Sequence, residues 1–149
     1  KNIKNFDDSK NITKDIEYIT TNDKGEIFKI LAKYGNTNRE DKNILNLEVV
    51  QGTITAKEKS QIYISSDYAN YNYTNQNSKF YSNVQIKYDD KIINCDNFDL
   101  IIEDNIAVAY DNVIVKDNKS IMRAETITLD LITKDIEINS KEKVKIIKN

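Results

Sequence analysis

The residues able to do chemistry are few and poorly placed for it. Histidine is absent, which removes the commonest general base near neutral pH and the commonest transition-metal ligand. Cys95 is the single cysteine, so the chain offers neither an internal disulfide nor a thiolate cluster. It reads as a small buried residue that packs like alanine. Gly25, Gly35 and Gly52 stand too far apart for a phosphate-cradling loop. Two carboxylates could serve glycoside hydrolysis, and Asp89-Asp90 and Glu103-Asp104 are adjacent acids in a strand-like context. Both pairs read as turn tips. No catalytic residue, metal or cofactor is therefore expected. The 22 basic and 24 acidic residues are interspersed, which argues against the basic face that nucleic acid requires. Lys87, Asp99, Glu103, Lys116, Glu125 and Asp130 read as solvated outer positions of strands.

What remains is apolar, and it is periodic. Three stretches repeat one signature: Ile64-x-Ser66-x-x-Ala69-x-Tyr71-x-Tyr73, Ile93-x-Cys95-x-x-Phe98-x-Leu100-x-Ile102 and Met122-x-Ala124-x-x-Ile127-x-Leu129-x-Leu131. From Ser66 to Cys95 and from Cys95 to Ala124 the interval is 29 residues, a fixed period that marks a repeated supersecondary unit. Steps of two are strand alternation. The step of three predicts an extra residue, a β-bulge or strand corner that keeps the same face inward.

An all-β fold follows. The chain has 24 Ile against 6 Leu, no Pro and three Gly, and no long segment shows the three-and-four spacing of a helix. Turns fall at Asn22-Asp23-Lys24-Gly25, Asn75-Gln76-Asn77, Asp89-Asp90, Asp104-Asn105 and Asp117-Asn118, where Asn and Asp bond their own backbone and tolerate left-handed conformations. Short antiparallel strands in a meander are expected. The inward set is Ile30, Ala32, Ile64, Ala69, Tyr71, Phe80, Val84, Ile86, Ile93, Phe98, Leu100, Val108, Val113, Val115, Ile127, Leu129, Ile136, Ile138, Val144 and Ile146, with Ser66 in the small slot. Alternation leaves open whether this set forms a closed core or an apolar groove open along one side.

One domain of 149 residues is expected. Residues 1–12 read as a polar lead-in and 13–149 as the β-repeat domain. No apolar run reaches the 18 residues of a spanning helix. The chain begins with Lys, so an upstream anchor or signal is expected to have been removed.

The motifs Asp15-Ile-Glu-Tyr18, Gly25-Glu-Ile-Phe-Lys-Ile-Leu-Ala32, Phe80-x-x-Asn83-Val84-x-Ile86-x-Tyr88, Asn112-Val113-x-Val115 and Ala124-Glu125-x-Ile127-x-Leu129-Asp130 make the chain resemble the periplasmic domain of the LptC family. That family is the inner-membrane-anchored component of the lipopolysaccharide transport bridge. The likeness spans roughly Ile16 to Ile147, and LptA-type bridge proteins share the same repeats.

The resemblance implies a folded-over antiparallel sheet, a β-jelly-roll or β-taco, in the periplasm of a Gram-negative bacterium. It implies that Ile30, Ala32, Ile64, Ser66, Ala69, Tyr71, Phe80, Val84, Ile86, Ile93, Phe98, Leu100, Val113, Ile127 and Leu129 hold lipopolysaccharide acyl chains. It further implies that edge strands dock partners by strand addition. The C-terminal edge Val144, Lys145, Ile146 and Ile147 would take an LptA-like bridge protein, with Lys141-Glu142-Lys143 as a possible gatekeeper. The N-terminal edge Ile16, Glu17, Tyr18 and Ile19 would face an LptB2FG-like ABC transporter. Two alternatives are a soluble LptA-type bridge protein and a closed-core docking scaffold without lipid.

Overall fold

The computed structural model describes residues 12–57, 60–139 and 145–148. Among them ten antiparallel strands form one sheet: β1 (Thr13–Thr21), β2 (Ile27–Thr37), β3 (Ile44–Thr55), β4 (Ile62–Asn72), β5 (Ser78–Tyr88), β6 (Lys91–Ile101), β7 (Ile106–Lys116), β8 (Ser120–Asp130), β9 (Ile136–Asn139) and β10 (Lys145–Lys148). The first eight lie in chain order. The far side of β8 is shared, with β9 along Thr126 to Leu129 and β10 along Ser120 to Arg123. No pairing among the described residues joins β1 to that far side, so the sheet is not closed. The repeat is visible directly: β4, β6 and β8 start at Ile62, Lys91 and Ser120, each 29 residues after the last.

Asn and Asp make the turns, as their chemistry dictates. The Asn72 carboxamide oxygen accepts the Thr74 amide at 2.9 Å. Asp117 accepts the amides of Lys119 and Ser120, each at 2.8 Å. Asp130 accepts those of Ile132 and Thr133 at 2.8 and 3.0 Å. Each closes an Asx-type turn without needing glycine.

Every strand from β2 to β8 changes phase midway. The inward residues run Ala32 to Gly35, Leu47 to Val50, Ser66 to Ala69, Cys95 to Phe98 and Ala124 to Ile127 in steps of three. The corner expected from the sequence is present, but the extra residue sits in the partner strands. β5 and β7 step by four, from Phe80 to Val84 and from Ala109 to Val113. Pairing shifts register at both places. The surplus is taken up by Ser82-Asn83 (φ 68° and 56°) and Asp111-Asn112 (φ 66° and 55°) in left-handed backbone, which Asn and Asp enter more readily than most residues. Aligned across the sheet, these corners form a crease along which it folds over.

The core lies inside the fold. Phe80, Ile54, Ile62 and Leu131 are wholly buried, and each such side chain contributes roughly 1.5–3 kcal/mol. Large and small residues alternate across strands: Ala69 faces Phe80, Phe80 faces Phe98, and Phe98 faces Ala109. The two phenyl rings meet at 6.1 Å. Two inward assignments are corrected. Val108 faces outward, paired with Asp99 and Thr128, because Ala107 and Ala109 hold the inner positions. Tyr73 lies beyond the end of β4, is half-exposed, and donates its hydroxyl to the Lys42 carbonyl at 2.7 Å.

Candidate functional site

The fifteen side chains assigned to a lipid surface all face the interior and are all buried. Ile30, Ala32 and Ile64 come from β2 and β4, Phe80, Val84 and Ile86 from β5, and Ile93, Phe98 and Leu100 from β6. Val113, Ile127 and Leu129 continue the surface across β7 and β8. Ala69 and Tyr71 occupy the far half of β4, beyond the crease from Ile64. Ser66 satisfies its hydroxyl on the Tyr68 carbonyl at 2.8 Å, so the lining presents little polarity. The most exposed of the fifteen, Ser66, is only 8% accessible. The interior is therefore filled by its own side chains, packed in one buried cluster. Val115 is also buried, and Ile136 and Ile138 pack half-buried against the core.

Sequence reasoning missed part of the same surface. Phe28, Leu47, Val50, Ile54, Ile62, Ala107 and Ala109 are buried beside it. Carrying the step of three back through Gly35 and Leu47 finds the first of these. A cleft of about 220 Å³ lies at the β1 end, lined by Ile16, Tyr18, Gly35, Leu45 and Leu47 with Thr13, Glu17 and Asn36 at its rim. That is below the roughly 300 Å³ of a typical small-molecule pocket. A wider cleft of about 660 Å³ lies on the outer face between β7 and β8, beside Val108, Tyr110, Arg123 and Thr126.

Aromatic and polar groups gather where the two halves of the sheet meet. Tyr18 stacks on Tyr71 with centroids 4.7 Å apart. Burial, with Tyr71 and Tyr73 alongside, pushes the Tyr18 phenol above its ordinary value. Thr20 and Tyr71 share a hydrogen bond at 3.3 Å. The Glu26 carboxylate pairs with the Lys134 ammonium, and both side chains are buried. The sequence did not pair these two residues, because no local pattern links positions so far apart. On the outer face the Tyr110 hydroxyl donates to Asp99 at 3.2 Å, and burial raises the Asp99 carboxyl against the pull of Tyr110 and Lys79.

The edges are defined by backbone pairing. In β1, Ile16 and Tyr18 are half-buried and face inward, whereas Glu17 and Ile19 are exposed. Glu17 lies 3.9 Å from Lys29 in an exposed ion pair. At the other side Lys145, Ile146 and Ile147 pair with Arg123, Met122 and Ile121. Val144 and the segment Lys141-Glu142-Lys143 lie outside the described residues, as do residues 1–11 of the expected lead-in.

A single unclosed sheet, folded along a crease, apolar within and charged without, defines the β-jelly-roll, or β-taco, class of repeat domain. Comparison with family models then places the chain: it belongs to the LptC family, described as lipopolysaccharide-assembly, LptC-related, with residues 1–147 matched. Comparison with curated proteins gives no match. Membership carries a role in lipopolysaccharide transport, with lipopolysaccharide and components of the Lpt bridge and transporter as partners in general terms. The family is periplasmic, associated with the inner membrane of Gram-negative bacteria, and is not known as an enzyme. Among the described residues no helix is long and apolar enough to cross a membrane.

Proposed function

We propose that the interior between the two halves of the sheet receives lipopolysaccharide acyl chains and passes them from an inner-membrane ABC transporter to a periplasmic bridge protein. The observation that supports this most is the lining. Fifteen inward residues from six strands, β2 and β4 to β8, make one apolar surface on a sheet that backbone bonds do not close. Such a lining makes few directional bonds, so a bound chain is free to slide while its charged sugars stay in water. In this reading β1 contacts the transporter and the C-terminal edge contacts an LptA-like bridge protein, each by strand addition.

Photo-crosslinking tests it. A diazirine amino acid at Ile86 or Leu100 is expected to yield lipopolysaccharide adducts, and one at the outer residue Lys87 is not. Equal labelling of both faces removes the proposal. The filled interior favours a second reading, a docking scaffold that carries no lipid. That reading predicts no adducts at Ile86 or Leu100 while partner binding persists.

A further inference from the structure

A filled interior can take an acyl chain only if the two halves of the sheet part, so the contacts across their seam decide how it opens. Beside the Tyr18–Tyr71 stack, three polar side-chain contacts cross it from the β1–β2 end. Glu26 pairs with Lys134, 108 positions away, and the two are 4% and 5% accessible. The Asn22 carboxamide donates to Asn105 at 3.0 Å. Thr20 meets the Tyr71 hydroxyl at 3.3 Å.

Both ends of the ion pair are held by their own turns. Asn22 donates to the Glu26 carboxylate at 2.8 Å and accepts the Glu26 amide at 2.9 Å. Lys134 also donates to the Leu131 carbonyl, and its turn is fixed by Asp130. Each turn therefore moves as a unit, and separating them breaks the contacts between turns while sparing those within.

The chemistry of this seam differs from that of the lining behind it. Parting two apolar surfaces exposes them to water, and nothing compensates. Parting a buried ion pair returns both ions to water, which restores the hydration lost on burial. Desolvation largely cancels the attraction in such a pair, so it adds little net stability while it is closed. A hydrophobic replacement would hold the seam more tightly.

We propose that Glu26–Lys134, with Asn22–Asn105 beside it, is a releasable clasp over the interior, and that its opening admits the acyl chains of an amphipathic lipid. This rests on the reading that the interior takes lipid.

The test uses a Cys95→Ala protein carrying Asn22→Cys, Asn105→Cys and a diazirine amino acid at Leu100, with purified lipopolysaccharide as the probe. Bridging the two cysteines with a short bismaleimide is expected to cut adduct formation at least tenfold relative to the same protein capped with N-ethylmaleimide. A second variant, Glu26→Met with Lys134→Met, is expected to raise Tm and yet slow adduct formation. A merely structural ion pair would not couple those two changes. Equal adduct rates in bridged and capped protein overturn the clasp and leave the interior lipid site standing. Absence of adducts even in the capped protein overturns the lipid site and the clasp with it.

Discussion

Asn83 donates its side-chain amide to the Asp67 carboxylate at 2.6 Å across the outside of the crease. One period later Asn112 makes the same bond to Asp96 at 2.5 Å. The repeat is thus a repeat of corner chemistry as well as of inward phase. Asn83 sits at φ 56°, where a side chain other than Asn or Asp costs about 1–2 kcal/mol. Asn83→Val is expected to lower stability by about that amount, and Asn83→Gly to leave it nearly unchanged because the backbone strain is relieved as the bond is lost. Urea unfolding of the two variants checks the order.

Gly35 faces inward at the corner of β2, where a Cβ would lie 2.5 Å from the Ile16 Cδ1 and 2.9 Å from the Leu47 Cδ2. Overpacking of this kind costs typically about 1–3 kcal/mol. Gly35→Ala should therefore destabilise the protein. Adding Ile16→Val, which removes the nearer atom, should recover part of the loss in the same unfolding measurement.

Burial pushes the Cys95 thiol up to about 12. At pH 8 almost no thiolate is present, and the thiolate is the reactive form. Cys95 is expected to resist a thiol-reactive dye in the folded protein and to label rapidly in denaturant. Native labelling at the denatured rate would contradict its placement inside the sheet. Cys95→Ala keeps the small slot that Ala124 fills in the next repeat, and should change stability little.

The backbone amides of Thr133 and Ile132 hold the Asp130 carboxyl below its usual range. A carboxyl lowered in the folded state contributes stability above its unfolded pKa and loses it as pH falls through the folded value. Asp130→Ala is expected to melt at a lower temperature than wild type at pH 7. The gap should narrow as the pH falls through the carboxylate range and close once the carboxyl is protonated in both states. Thermal melts across pH read this directly.

The sequence made the strands, the turns and most of the lining legible because each depends on neighbours a few positions apart. Ser66, Cys95 and Ala124 announce the period, and the corner follows from the steps beside them. Val108 shows where hydrophobicity misleads. Valine is the more apolar residue, but counting back from Val113 across the surplus residue puts the small Ala109 and Ala107 inside, where Phe98 and Leu100 need room. Glu26 and Lys134 show a different limit. Charged residues in turns look solvated in sequence, and only the folding of one half over the other brings them together under cover.

The crease has a consequence for anything that would lengthen the sheet. Asp15 in β1 already adopts φ 54°, and neither it nor Lys33 across from it takes part in the ladder. The exposed edge is thus a bent template. A straight strand can zip onto one arm or the other, whereas a strand with a matching elbow at that level can follow both. Shape at a single joint, with no side-chain code, is then enough to sort candidate neighbours.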